Sequence, residues 1–178
     1  MVTSRFYHLR ILSCMVAILI YSGISAEYHT VERVSVASDG TQGDDFSRYP
    51  DISADGRFVV FESSATNLVS GDTNIYSDIF VHDRQTGETT RVNVTSDGNQ
   101  ALGSKSDTPD ISPDGRYVTF VSYAGNLVPE DTNGQPDIFV HDRQTGETSI
   151  VSISTDGTLG NGASFCPDIS PDGRYVIF

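Results

Sequence analysis

The residues with the clearest chemical potential lie in a stretch of twelve, DIFVHDRQTGET, which occurs unchanged at residues 78–89 and 137–148. Each copy holds a histidine beside an aspartate and an arginine, the side chains of a general base with a carboxylate partner. A catalytic residue is normally needed once, whereas a packing residue recurs with its surroundings. Adjacent strand residues also point to opposite faces, which separates His82 from Asp83. We therefore predict that His82 and His141 are strand histidines, hydrogen-bonded between repeats, and that this chain contains no catalytic residue.

Two loops that end at the start of the duplicated stretch carry a second candidate chemistry. Both loops have oxygen-bearing side chains at relative positions 1, 3 and 7. Ca²⁺ takes six to eight oxygen ligands, and a loop with acidic groups at alternate positions can wrap around it. The alternative is a connector whose side chains only satisfy turn backbone. The calcium ligands would be Asp72, Asn74 and Asp78 in the first loop and Asp131, Asn133 and Asp137 in the second. No other cofactor is predicted.

Other reactive groups have simpler interpretations. The aspartates of the Asp-Gly turns, Asp55, Asp114 and Asp172, are expected to accept hydrogen bonds from the backbone of their own turns. Cys166 is the one cysteine that remains after the predicted signal segment, so no internal disulfide can form. We expect it to be a small buried apolar group. The sequence contains no nucleophile-elbow Gly-x-Ser-x-Gly, His-Glu-x-x-His, P-loop or Cys-x-x-Cys motif.

The elements that would position these residues repeat every 58 to 59 residues. The sequence DISADGRFVVF at residues 51–61 returns as DISPDGRYVTF at 110–120 and as DISPDGRYVIF at 168–178. Each period contains about four short β-branched or aromatic runs, separated by clusters of Gly, Asp, Asn and Pro, without helical spacing. The sequence therefore predicts repeats of four strands at about residues 46–103, 104–162 and 163–178.

The strands of one repeat can be placed individually. The first ends near Ile52, Ile111 and Ile169, and the SPDG sequence that follows fits a type I turn. The second strand begins at Arg57, Arg116 and Arg174, and the third is residues 78–83 or 137–142. A hairpin with a glycine at positive φ leads to the fourth strand, predicted from the alternation Val34/Val36, Val92/Val94 and Val151/Ile153. The second and third strands are apolar on both faces and should be covered on both sides.

The SPDGRYVTF turn and strand, followed by DIFVHDRQTG, resemble the TolB-type, WD40-like β-propeller repeat (PD40 family) of exported bacterial proteins. The resemblance covers about residues 31–178. It implies an all-β fold, a β-propeller of four-stranded antiparallel blades present as an incomplete arc of about two and a half blades. Residues 31–37 would then be a fourth-type strand of the closing blade, and residues 27–178 a fragment of a longer propeller.

The N-terminus has the order of features of a secretory signal peptide over residues 1–26. A short basic start with Arg5 and Arg10 precedes an apolar run at 11–20 and then small residues. The alternative is an uncleaved membrane anchor, for which the apolar run is short. Cleavage would leave 9 basic against 24 acidic residues, a net charge of −15. Such acidity argues against binding of nucleic acid or of anionic membrane surfaces.

These observations favour a periplasmic or extracellular, non-catalytic propeller that binds a protein or glycan partner. The repeated core would form the scaffold, and side chains that differ between repeats would give specificity. Two alternatives stay open: the N-terminal propeller of an exported hydrolase, as the resemblance to prolyl-oligopeptidase propellers implies, and a calcium-stabilised surface protein. The candidate contact residues are Arg48, Tyr49, Glu62, Lys105, Tyr123 and Phe165.

Overall fold

The computed structural model describes residues 31–178, in which all regular structure is β-strand. The predicted signal segment, residues 1–26, lies outside the described residues. None of the described residues form a helix that is long and apolar enough to cross a membrane. The ten strands are β1 Ser47–Ile52, β2 Phe58–Ser63, β3 Asp78–Asp83, β4 Glu88–Arg91, β5 Ser106–Ile111, β6 Tyr117–Ser122, β7 Asp137–Asp142, β8 Glu147–Ile150, β9 Asp168–Ile169 and β10 Val176–Ile177.

The strands form two four-stranded antiparallel meanders and the beginning of a third. The sheet orders are β1-β2-β3-β4 and β5-β6-β7-β8, and β9 pairs with β10. Strands of the same rank occupy equivalent positions, so Phe61 lies opposite Phe80 as Phe120 lies opposite Phe139. Each meander is one blade, and the fold is an incomplete arc of β-propeller blades, as predicted.

The turns form because the sequence provides the residues that they require. In the SPDG turn the Gly115 N–H donates to the Ser112 carbonyl at 2.8 Å, and Gly115 has a φ of 72°. The hairpin between β3 and β4 closes through the Gly87 N–H and the Asp83 carbonyl at 2.7 Å, with φ of 78° at Gly87. Glycine reaches this left-handed region without a Cβ penalty. The predicted turns and the predicted third strands are therefore confirmed.

The core lies between the blades and on the two middle strands of each. The Phe61 and Phe80 rings stack with centroids 5.9 Å apart, and Phe120 and Phe139 repeat the arrangement at 5.9 Å. Nearly all side chains of β2, β3 and β6 are buried, which confirms that these strands are covered on both faces. One apolar cluster joins β2 and β3 of the first blade to β6 and β7 of the second. The blades thus pack face to face.

The predicted fourth strand is wrong in position. The fourth strands are the short β4 and β8, directly after the hairpin, and the alternating residues Val92/Val94 and Val151/Ile153 follow them. Val94 and Ile153 form only isolated bridges, to Gln100 and Leu159. Val92 belongs to the apolar cluster shared with the second blade. The alternation is real, but it marks a segment that leaves its own sheet and covers the next blade.

Residues 31–37 have the same role on the first blade. Val34 is fully buried in a cluster with Phe61 and Phe80, and Val36 pairs with Gln42 through a single bridge. The segment is not one of the described strands of a sheet. Its assignment as the last strand of a closing blade stays a prediction, whereas its contact with β2 and β3 of the first blade is direct.

The first strands of successive blades run beside one another. β5 contacts β1 on one side and β9 on the other. The Ile111 N–H donates to the Asp51 carboxylate at 3.2 Å, and the Ile169 N–H donates to Asp110 at 2.8 Å. The aspartate of each first strand therefore holds the backbone of the next one, which brings these strands together at the inner edge of the arc.

Candidate functional site

The duplicated histidines are buried structural groups. His82 Nδ1 lies 2.9 Å from the Thr89 hydroxyl, and that hydroxyl donates to the Val36 carbonyl at 2.6 Å. Because the threonine proton is used on Val36, the histidine donates from Nδ1. His141 and Thr148 repeat the geometry at 2.9 Å, with the Val94 carbonyl as acceptor. Burial lowers the pKa of both histidines. The predicted link between repeats is thus present, through threonine and the covering segment.

The aspartate next to each histidine faces the other way, as predicted. Asp83 accepts two hydrogen bonds from Arg57, at 3.0 and 2.7 Å, and Asp142 accepts two from Arg116, at 3.0 and 2.6 Å. The guanidinium holds the pKa of each carboxyl well below its usual range. The carboxylates are therefore committed to ion pairs across β2 and β3, or across β6 and β7, and leave the histidines without an acidic partner.

The turn aspartates also behave as predicted. Asp55 and Asp114 each accept a backbone N–H from the arginine two residues later at 3.0 Å, and Asp172 accepts one at 3.2 Å. A serine hydroxyl of the same turn donates to each carboxylate at 2.6 Å. These hydrogen bonds lower the pKa of all three carboxyls, the serine bond most. The three groups hold the turn between the first two strands of each blade.

The predicted calcium loops lie at the start of β3 and β7 and differ in their partners. In the first loop Asp72 and Asp78 face Arg91, at 3.4 and 3.2 Å. In the second, Asp137 accepts the Ser152 hydroxyl at 2.7 Å and the Asn133 amide at 2.8 Å. Asp131 has neither an ion pair nor a side-chain hydrogen bond within residues 31–178, and its Oδ1 is buried. No group of three or more His, Cys, Asp or Glu side chains suited to a metal occurs in this range.

Exposed aromatic and basic side chains gather where the first strands begin. The Arg48 guanidinium lies 5.2 Å from the ring centroids of both Phe46 and Tyr49. In the next blade Lys105 Nζ lies 4.8 Å from the centroid of the Tyr123 ring. The centroids of the Tyr123 and Phe165 rings are 6.5 Å apart. All four rings are more than a third exposed. We name this surface the aromatic strip; it consists of Phe46, Arg48, Tyr49, Lys105, Tyr123 and Phe165.

Ion pairs hold the two basic groups of the aromatic strip in place. Arg48 binds Glu62 at 2.7 Å and Lys105 binds Asp107 at 2.5 Å. The pKa of Lys105 is raised, first by its hydrogen bond to Asp107 and further by the charge of Glu62. The pairs of neighbouring blades therefore lie within electrostatic range of each other. Glu62 itself is fully buried, so its prediction as a contact residue is wrong: β2 is covered on both faces, and Glu62 lies within that covered part of the strand.

A strained backbone position accompanies the aromatic strip in each repeat. Tyr49, Thr108 and Cys166 have φ values of 51°, 47° and 57°, all followed by proline. In β1 and β5 this residue lies in a bulge, where the register shifts. Such conformations cost about 1–3 kcal/mol each and are concentrated at functional sites, and a bulge re-aims a side chain. Cys166 is exposed, so its predicted burial is wrong; it occupies the position that presents Tyr49 to solvent.

The row of aspartates on the first strands was not predicted to have a role. The signal was present, because Asp51, Asp110 and Asp168 recur after proline in every repeat. Burial, a hydrogen bond with Asp51 and the charges of Asp51 and Asp168 raise the pKa of Asp110 to about 7, although the Ile169 N–H works in the other direction. The inner edge of the arc therefore concentrates negative charge above neutral pH.

Asp110→Asn is expected to stabilise the chain in alkaline solution. The folded pKa exceeds the unfolded value, so the folded chain binds more protons between about pH 4 and 7 and its stability falls as pH rises through that window. The amide still accepts the Ile169 N–H but carries no charge. The full shift corresponds to about 4 kcal/mol; since the side chain is partly exposed, we expect about 2 kcal/mol at pH 8 and little at pH 4. Urea denaturation at both pH values measures the difference.

Asp156→Asn is the control of opposite sign. The hydrogen bond from Ser154 is the main reason that the pKa of Asp156 falls to about 2, so this carboxylate contributes stability above its unfolded pKa that is lost as pH falls. Its replacement should destabilise the chain at pH 8. A gain from Asp110→Asn that is equal at pH 4 and pH 8 would show that the row carries no extra charge when folded.

The comparisons with known proteins concern structure only. No family model and no curated protein matches the chain. A protein described as TolB from Agrobacterium tumefaciens is similar at 23% identity and a TM-score of 0.45, over 83% of this chain and 46% of that one. An oligogalacturonate lyase in complex with manganese is similar at 14% identity and a TM-score of 0.45, over 84% of this chain and 34% of that one. The chain thus spans less than half of either structure. The assignment to propeller blades rests on strand order and inter-blade packing.

Proposed function

We propose that the chain is an exported, non-catalytic scaffold that binds a protein or glycan partner through the aromatic strip. One observation carries this proposal: four exposed rings flank two basic side chains along the beginnings of three first strands. Aromatic rings give a large apolar contact at low entropic cost, and together with arginine they are enriched in protein interfaces. On a chain with a net charge of −13, this surface differs from its surroundings in both polarity and charge.

The aromatic strip also differs between the blades that carry it. Arg48 corresponds to Asp107 in the second repeat, and Tyr49 corresponds to Thr108. The core phenylalanines and the turn residues, in contrast, recur. Residues that build a blade must recur with the blade, whereas residues that recognise a partner need not. The variation therefore falls where a binding surface would require it.

The absence of catalysis is part of the proposal and has positive support. His82 and His141 are engaged with threonine, and the neighbouring aspartates are engaged with arginine. A general base needs a free nitrogen within reach of a proton on the substrate, and these rings are buried. The alternative of a hydrolase that carries these blades at its N-terminus is tested by the sequence after residue 178, where a Gly-x-Ser-x-Gly motif would favour it.

The binding proposal is tested with two probes on the same variants. Affinity electrophoresis against neutral and acidic polysaccharides measures glycan binding, and photocrosslinking from a benzoylphenylalanine at position 123 captures protein partners. We expect retardation or a defined adduct. The double variant Tyr49→Ala/Tyr123→Ala should lose affinity by about thirtyfold, since each ring that a partner covers contributes about 1 kcal/mol and about 1.4 kcal/mol is tenfold. For the adduct assay the label is moved to position 165 in the Tyr123 variant.

Tyr76→Ala is the matched control, because Tyr76 is an equally exposed ring in a connector outside the aromatic strip. The proposal is wrong if Tyr76→Ala weakens binding as much as the double variant does, or if the wild-type chain neither binds a polysaccharide nor forms an adduct.

A further inference from the structure

The two acidic loops offer an internal comparison, because the acids of one are paired with an arginine from a neighbouring strand and the acids of the other are not. In the first loop Arg91 lies between Asp72 and Asp78, and all three side chains are at most 10% exposed. Gln100 adds a hydrogen bond to Asp72 Oδ1 at 3.2 Å, and Asn93 donates to Asp78 at 2.6 Å. Both carboxylates are therefore neutralised or hydrogen-bonded from within the chain.

The second loop keeps the acids and loses the groups that neutralise them. Fifty-nine residues further on, Asp131 and Asp137 stand in the places of Asp72 and Asp78, but Ile150 replaces Arg91 and Leu159 replaces Gln100. The asparagine between the acids is also kept, as Asn133. The replacements remove the positive charge and a hydrogen-bond donor at once, so that only Asp137 keeps side-chain hydrogen bonds, from Ser152 and Asn133.

The consequence is visible at Asp131. The residue is only 8% exposed, its Oδ1 is buried without a hydrogen-bond partner, and no basic group pairs with it in residues 31–178. An unpaired buried carboxylate is costly. The group must therefore hold a proton or face a cation from outside the chain.

We propose that the second loop binds one Ca²⁺ between the carboxylates of Asp131 and Asp137, at the place that the Arg91 guanidinium occupies in the first blade. Hard oxygen ligands of this kind suit Ca²⁺. Asn133 positions the loop, since its amide nitrogen donates to Asp137 and to the Gly160 carbonyl at 2.9 Å while its oxygen accepts the Gln135 N–H at 2.7 Å. With two carboxylates, water completes the ligand shell. The affinity belongs to the weak range of extracellular modules, a Kd of about 10⁻⁴ to 10⁻³ M.

The sequence predicts calcium in both loops, whereas this proposal places one ion in the second loop and none in the first. The two acids of the first loop are paired with Arg91, which gives a net charge of −1, whereas the two acids of the second loop have no arginine beside them. A divalent ion would meet a fixed guanidinium in the first loop, and like charges so close repel strongly. The site is independent of the partner proposed for the aromatic strip.

Calorimetric titration of the chelator-treated chain with CaCl₂ tests the site, together with thermal melts in the presence and absence of the ion. We expect one ion per chain and a higher Tm with calcium, by linkage of binding to folding. Asp131→Asn and the double variant Ile150→Arg/Leu159→Gln, which installs the groups of the first blade, should each lose binding at least tenfold. Asp72→Asn is the matched control and should bind as the wild type does.

The contradicting results are equally defined. No heat up to about 10 mM CaCl₂, a range that includes weak extracellular sites, would overturn the proposal and indicate a protonated Asp131. Two ions per chain, or an equal loss in Asp72→Asn, would show that the first loop binds as well and that Arg91 does not replace the ion. An equal rise in Tm with NaCl at matched ionic strength would indicate general screening of the negative charge. Circular dichroism confirms that each variant keeps its β-structure; Ile150→Arg/Leu159→Gln and Asp131→Asn test the site by different routes, should one fail to fold.

Discussion

Arg48→Met is expected to lower the free energy of unfolding by about 3 kcal/mol. Arg48 donates from Nε and Nη2 to one oxygen of Glu62, at 3.0 and 2.7 Å. The Glu62 side chain is completely buried, and its other carboxylate oxygen has no partner. Removal of the arginine leaves a buried charge without compensation, which typically costs 3–5 kcal/mol. We expect the lower end because the Arg48 side chain is 44% exposed. Urea denaturation monitored by circular dichroism measures the loss.

The second repeat provides the control for this prediction. Val121 stands where the first repeat has Glu62, and it is fully buried in the second blade. The double variant Arg48→Met/Glu62→Val should therefore be at least as stable as the wild type, because an apolar residue of similar position replaces the buried pair. A double variant as unstable as Arg48→Met alone would mean that the arginine stabilises the blade through its contacts with Phe46 and Tyr49 instead of through Glu62.

Gly115→Ala is expected to cost about 3 kcal/mol, of which about half should come from the contact between blades. Gly115 has a φ of 72°, and a Cβ built on it would lie 2.2 Å from Cδ2 of Phe58 in the preceding blade. The Phe58 ring has little freedom to move, because the Arg57 and Arg143 guanidinium groups lie 4.6 and 4.2 Å from its centroid. Left-handed strain accounts for about 1–2 kcal/mol of the cost, and the clash adds the rest. Chemical denaturation measures the total.

Gly87→Ala isolates the contribution of strain. Gly87 has a φ of 78° in the hairpin between β3 and β4, and a Cβ there would meet nothing within 4 Å. The free energy of unfolding should fall by only about 1 kcal/mol in this variant. Equal losses for the two glycines would contradict the prediction, since they would show that Phe58 moves aside without cost and that the blades are not tightly packed at this point.

The prediction of the fold succeeded wherever a local rule is sufficient. The turns follow from Ser-Pro-Asp-Gly and from Gly87, whose backbone requirements few other residues meet. The strands β3 and β7 follow from apolar runs buried on both faces, and they begin and end at the predicted residues. The prediction failed at Val92/Val94, because alternation shows that one face of a segment is buried but not which sheet buries it. Val92 packs against the next blade, and this contact depends on the tertiary structure.

The candidate site divides in the same way. The sequence by itself determined the repeat, the blade and the structural role of the histidines in DIFVHDRQTGET, since a residue that recurs at the same strand position is explained by packing and not by catalysis. Only the tertiary structure decided which acids have partners: Arg91 is 19 residues from Asp72 in sequence, and Gln100 is 28 residues away, yet both reach it. The motif Asp-x-Asn-x-x-x-Asp is the same in both loops, but the charge around it depends on residue 91 at the end of β4 and residue 150 at the end of β8. Electrostatic interactions act through space, so two loops with the same oxygen-bearing side chains differ in the groups that surround their acids.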